Sequence, residues 1–317
     1  MLGGIKNFIK SKLITDSHPL LLSMWKKRFE RKLLWEQEMH SRMTYAELEA
    51  EISRRHEAMF GRKLDWDNPR TYNEKIHVSK IYMPTPLKTR LADKVAVREW
   101  VAERIGSEYL VPLLGVYASF DDIDFDALPD KFVIKCTHDS KSTTVVKDKS
   151  KINTYLLRLK YDLCLSRNWG WNGFEMHYRD IPPKIIIEPY LGDAINDYKF
   201  LCFDGRPCYC WVDFDRYTNH KRNMYNLDWE LQPFNQYHYG NYEGTVNCPE
   251  NFGEMKRIVA ELCKGFEHVR VDLYVVGGRV YFGEMTFTPA AGLNDFYTQE
   301  FLNILGDLCE LDTSEKH

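Results

Sequence analysis

Residues 269 to 289, VRVDLYVVGGRVYFGEMTFTP, most narrow what this chain can become. Two runs rich in β-branched and aromatic residues flank Gly277-Gly278, which predicts an antiparallel hairpin. Each run nevertheless carries an acid, Asp272 in the first and Glu284 in the second. Side chains alternate along a strand, so Glu284, Thr286 and Thr288 share one face while Gly283, Met285 and Phe287 share the other. Asp272 and Glu284 fall on the same face if the connecting loop has an odd number of residues. A three-residue loop of Val276, Gly277 and Gly278, with Gly278 left-handed, meets that parity. Two acids on adjacent strands of one face repel unless a cation joins them, and hard oxygen ligands suit Mg²⁺ or Mn²⁺. The alternative is a solvated outer face, where the pair needs no partner.

The rest of the chain supplies helices first and strands later. Thr44 with Glu47 and Thr71 with Glu74 form capping boxes that open helices closed by Gly61 and Pro84. A third helix is expected from Lys94 to about Ile105, stopping at Gly106. FVIKC (132 to 136), TTVVK (143 to 147), KIIIEPY (184 to 190), DYKFLCF (197 to 203) and PCYCWVDF (207 to 214) read as strands, with Asp204-Gly205 a hairpin turn. A helix from about Glu254 to Lys264 precedes the 269 to 289 hairpin. The order predicts an α+β protein, and at 317 residues with 44% apolar content the chain can bury a sizeable core.

Charge and cysteine usage exclude some classes. A net charge of −3 supplies no global attraction to nucleic acid. Residues 1 to 33 are the exception, with eight Lys/Arg against two acids among Ile, Phe, Leu and Trp. Their longest apolar run is far short of the roughly 20 residues that a membrane span needs, and no secretory cleavage pattern follows. They read as a basic helical arm that packs on the body or rests on the anionic inner face of a membrane, in a cytoplasmic protein. Eight cysteines without a CxxC pair read as free thiols rather than zinc ligands. No G-x-S-x-G or Cys-His signature provides a protein nucleophile.

The ordered motifs from about residue 60 to 311 resemble the ATP-grasp superfamily and, within it, the TupA-like group associated with bacterial surface-polysaccharide synthesis. Glu284-Met285-Thr286 followed by Thr288-Pro289 is similar to the family's last hairpin, and Arg270 with Asp272 to its R-x-D pair. Ala92-Asp93-Lys94 resembles the opening of the nucleotide-binding half, FVIKC the strand whose Lys135 meets phosphates, and IIIEPYL the adenine linker. The resemblance implies two α+β lobes clamping ATP: a small lobe over 129–190 and a large lobe over 191–317. A basic arm over 1–60 and an N-terminal segment over 61–128 precede them. It implies nucleotide contacts from Lys94, Lys135, Ser140, Lys141, Ser142, Glu188, Pro189, Tyr190, Leu191, Asp197 and Lys199, and metal ligation of Mg²⁺ or Mn²⁺ by Asp272, Glu284 and Thr286. Arg270, Lys135 and Lys199 take the catalytic roles.

The implied reaction is carboxylate–amine ligation through an acyl phosphate. The acid would be a uronic acid in a sugar nucleotide or polysaccharide precursor, and the amine an amino acid or amino sugar. A glycosyltransferase and a non-catalytic assembly protein are the alternatives. Two departures bear on the choice. The loop after Lys135, THDSKSTT, has no glycine, and Thr286 stands where an amide is expected as third metal ligand. NWGWNGF (168 to 174) and NQYHYGNYEG (235 to 244) place aromatic rings among polar residues, either to meet a sugar face or as ordinary rim packing.

Overall fold

The computed structural model describes residues 19–193, 195–214, 220–234, 240–244 and 246–311. Residues 1–18 of the basic arm and 235–239 of the second aromatic loop lie outside them. Helices α1 (Pro19–Ser41), α2 (Tyr45–Phe60), α3 (Tyr72–Tyr82), α4 (Pro86–Ala92) and α5 (Val97–Ile105) come first. Both capping boxes form, and Gly61 closes α2 in the left-handed region at φ 68°. The helix expected from Lys94 begins instead at Val97, because the Asp93 carboxylate accepts the Val95 N–H at 2.8 Å and holds a turn there. Helix α4 was not among the expected elements, although Thr85 caps it and Pro86 stands in its first turn.

Two antiparallel sheets follow. The small sheet orders β1 (Gly115–Tyr117), β2 (Phe132–Cys136), β3 (Thr144–Val146) and β4 (Ile185–Pro189) as β1-β4-β2-β3. The larger contains β5 (Asp197–Phe203), β6 (Arg206–Phe214), β7 (Lys221–Asn226), β8 (His268–Val276) and β9 (Arg279–Thr286) in the order β7-β6-β5-β8-β9. Helices α6 (Thr154–Leu165) and α7 (Trp169–Gly173) lie between β3 and β4 in the chain, α8 (Phe252–Leu262) precedes β8, and α9 (Gln299–Leu308) ends the described chain.

Alternation explains how the large sheet is used. Phe200, Cys202, Cys210, Val212, Val269, Val271 and Leu273 share one face and pack with α5 and α8 in an apolar core. The opposite face divides along its length. Leu201, Phe203, Trp211 and Met224 bury against Tyr72, Ile76, Phe301 and Leu305. Asp197, Lys199, Arg270 and Asp272 continue that face beyond the apolar cover. In the small sheet, Phe132, Ile134, Cys136, Ile185 and Ile187 turn into a separate core, which leaves Lys135 and Glu188 on the other side. All eight cysteines are free.

The hairpin pairs Asp272 with Glu284, but by a route different from the expected one. Val276 pairs with Arg279, so the turn holds only Gly277 and Gly278, at φ 57° and 76°. Parity is restored by a bulge: Leu273 pairs with Phe282 and Asp272 with Glu284, leaving Gly283 extra. A Cβ on Gly283 would meet the Asp272 carbonyl oxygen at 3.0 Å, so the missing side chain permits that close approach.

Candidate active site

The acids of the hairpin lie within a network of cations. Arg270 donates from Nε to Asp272 Oδ1 at 2.6 Å and from its terminal nitrogen to Asp272 Oδ2 at 2.7 Å and Glu284 Oε1 at 2.8 Å. Lys199 donates to Asp272 Oδ2 at 2.9 Å and lies 3.3 Å from Asp197. Asp197, Lys199 and Asp272 are thus on one sheet face, as their numbering implies. Thr286 shares it, since its hydroxyl donates to Glu284 Oε1 at 3.2 Å.

Burial alone would raise the Glu284 pKa, but Arg270, and after it Lys94, Lys199 and Lys135, outweigh burial and hold it at about 2. Lys135 lies on the small sheet and Lys94 is bonded to the loop that follows it, so these two cations come from outside the large sheet. Lys135 pairs with Glu188 at 2.7 Å across β2 and β4. Tyr274 pairs with Asp197 across β5 and β8, and burial first, then Glu188 and Asp197, push its phenol up.

The loop after Lys135 departs from the expected arrangement. Lys94 donates from Nζ to the Asp139 carbonyl, fastening itself to the loop. Lys141 adopts φ 78°, the left-handed conformation for which such loops ordinarily use glycine. Ser140 and Lys141 are exposed, whereas Ser142 is buried. The Ser142 hydroxyl accepts the Cys136 N–H at 2.8 Å and donates to Asp139 at 2.5 Å, so it braces the loop from within. Pro189 ends β4, and Tyr190 and Leu191 continue from it as half-buried linker residues. Trp169 of the first aromatic segment is buried and donates to Glu175 at 3.1 Å, which makes it a packing residue.

Three residues near the cleft were missed in the sequence. Glu175 is buried, accepts from Thr288 at 2.5 Å, and has its pKa raised by burial. Tyr178, also buried, lies near both Glu175 and Glu284. Arg98 approaches Glu188 and Tyr274 while donating to the Val111 carbonyl at 2.7 Å. Only the capping and strand patterns carried signal here, and none of these three residues lies in such a pattern.

The donor set fits a hard divalent cation. Asp272 and Glu284 are opposed, and Glu284 is ionised and 37% exposed at its side chain. Both hydrogen bonds that Glu284 accepts use Oε1, so Oε2 has no protein donor among the described residues. Arg270 now bridges the two acids that such a cation would join.

The family described as TupA-like ATPgrasp matches residues 74–310. Among solved structures, a D-alanine-D-alanine ligase from Helicobacter pylori aligns at 13% identity and TM-score 0.39, over 69% of this chain and 61% of that one. The ATP-grasp ligase PsnB, complexed with minimal precursor, Mg and ADP, aligns at 10% identity and TM-score 0.38, over 65% of this chain and 53% of that one. The chain therefore spans about three fifths and one half of the lengths of these two proteins. No curated protein matches it in sequence.

Proposed function

The chain belongs to the TupA-like ATP-grasp family, and from that premise we propose that it is an ATP-dependent carboxylate–amine ligase acting in surface-polysaccharide synthesis. The observation that carries the reading is the network on the large sheet, where Arg270 bonds both Asp272 and Glu284 and Lys199 bonds Asp272, with Lys94 and Lys135 near enough to help lower the Glu284 pKa. A triphosphate needs cations from more than one side, and a transferring phosphoryl needs its charge spread. Lys94 and Lys135 supply the small-lobe charge. Lys199 and Arg270 supply it from the large sheet, and both are already paired with Asp272, so they are held in place before substrate enters. Asp272, Glu284 and Thr286 would hold Mg²⁺ or Mn²⁺, which when bound polarises phosphate oxygens. Ile186 and the linker through Leu191 offer the apolar slot and backbone groups that an adenine edge uses.

In this reading ATP phosphorylates a substrate carboxylate and an amine displaces the phosphate, so that ADP, phosphate and an amide leave. A uronic acid in a sugar nucleotide or polymer precursor is the proposed acid, and an amino acid or amino sugar the proposed amine. An ADP-release screen of uronic acid sugar nucleotides against amines tests this. Turnover of sugar nucleotide without ATP would instead favour glycosyl transfer. No ADP release with any pair, together with no ATP binding, would favour the assembly protein, for which the inward-turned Ser142 is the supporting observation.

Membrane contact through the arm is a second proposal. Met24, Arg28, Arg31, Trp35 and Met39 recur at helical spacing and are all exposed, and Arg42 follows them paired with Glu38. Apolar and aromatic side chains interleaved with cations suit an anionic lipid surface. No helix among the described residues is long and apolar enough to cross a membrane.

A further inference from the structure

A cavity of about 220 Å³ lies beside the loop after Lys135, lined among others by His138, Leu165, Arg167, Asn168, Tyr178 and Pro182. Three of these residues carry buried polar atoms that no group among the described residues satisfies: Arg167 Nε, His138 Nδ1 and Asn168 Oδ1. Buried polar groups are ordinarily paired, and three orphans around one cavity call for a common partner.

Arg167 sets the charge of that partner. Its side chain is buried, lies over the Trp169 ring at 5.2 Å, and among the described residues has no carboxylate within ion-pair distance. Burial pulls its pKa down, and Asp139 and Glu36 act on it only at longer range. Asp139 is already engaged by Ser142. A buried guanidinium without an acid is costly, and its planar fork matches a carboxylate or phosphate.

The other two orphans set the rest of the ligand. His138 Nε2 lies 3.1 Å from the carbonyl oxygens of both Cys164 and Arg167, so that nitrogen carries the proton. Burial favours the neutral ring, and Nδ1 is then an acceptor. The Asn168 amide donates to the Arg179 carbonyl at 2.8 Å, which fixes its orphaned Oδ1 as a second acceptor. The cavity thus lacks one oxyanion and the hydrogen-bond donors to accompany it.

We propose that this cavity binds a small organic acid carrying an amine or hydroxyl beside its carboxylate, the oxyanion on Arg167 and the donors on His138 and Asn168. His138 lines the cavity and precedes Asp139, whose carbonyl accepts from Lys94, so the site adjoins the cleft. Its use as a co-substrate site rests on the ligase reading, but its binding of the acid does not.

Equilibrium calorimetry separates the two. The probes are alanine and glucuronate, with acetate, which lacks the donors, and glucose, which lacks the charge, as half-matched controls. Alanine or glucuronate is expected to bind saturably without ATP, at least tenfold more tightly than either control. Arg167→Gln should weaken that binding at least tenfold and leave the ligand-free protein no less stable, since it removes an unpaired buried charge. Asn168→Asp, which places a carboxylate in the cavity wall, should abolish binding and raise the melting temperature. Lys135→Ala should bind the acid normally while losing ATP. The proposal is overturned if neither probe binds the wild-type protein, if Arg167→Gln and Asn168→Asp both bind as wild type does, or if Lys135→Ala loses the acid.

Discussion

Glu284→Gln is the sharpest test of the cleft, because it removes one charge and almost no volume. In the free protein its stability cost should be small. The substitution weakens a 2.8 Å bond from Arg270 and a 3.2 Å bond from Thr286 to a carboxylate 37% exposed, while both Arg270 bonds to Asp272 remain. A partly exposed pair of this kind contributes about 1 kcal/mol, or about 2 °C in melting temperature for a chain of this size. The sign of its pH dependence follows from the lowered pKa. The Glu284 carboxylate stabilises the fold above its ordinary value of 4.5, and that contribution is lost as pH falls from there to about 2. Wild-type and variant melting curves should therefore run parallel near neutrality and converge only in that acidic window.

The cost in turnover should be of another order. Loss of a metal ligand and of charge opposite the transferring phosphoryl should remove about 4 kcal/mol of transition-state stabilisation, roughly a thousandfold in rate. ADP release at saturating Mg²⁺ and ATP measures the rate, and differential scanning fluorimetry measures the fold. Near-normal ADP release from a folded variant would refute a metal role for Glu284. A melting temperature lowered by 10 °C or so would show that the acid is structural instead.

Lys135→Ala should lose most of the stabilisation conferred by ATP with Mg²⁺, which at 100 times the dissociation constant is about 2.7 kcal/mol; an equal thermal shift in the variant would place the triphosphate elsewhere. Gly283→Ala should cost about 1 kcal/mol or more by pressing a Cβ against the Asp272 carbonyl at 3.0 Å, and urea unfolding at wild-type stability would show that the bulge does not need glycine. Trp35→Ala with Met39→Ala should reduce low-salt sedimentation with anionic vesicles while leaving the melting temperature within a degree or so, because both residues are exposed. Unchanged sedimentation would remove the arm from membrane contact.

Much of the fold could be read from local pattern because the patterns are local in origin. Capping boxes at Thr44 and Thr71 concern hydrogen bonds three residues away, and strand alternation determines that Asp197 and Lys199 share a face. The opposition of Asp272 and Glu284 was also predictable, but the expected three-residue loop was not the means. Only the paired sheet decided between one extra turn residue and one extra strand residue, since both satisfy the same parity. Gly283 allows the second because nothing separates it from the Asp272 carbonyl.

Other features required the tertiary structure outright. Arg270 bridges both acids, and Ser142 turns inward to brace the loop it was expected to present to phosphate. The cavity gathers His138 from the loop after β2, Arg167 and Asn168 from beyond α6, and Tyr178 from the approach to β4. No sequence period links these positions. Their meeting depends on how the small sheet, its helices and the connecting segments pack, and so on contacts between residues distant in the chain. Whether a polar group is satisfied likewise depends on its neighbours in space, whereas spacing along the chain records only which face of an element it occupies.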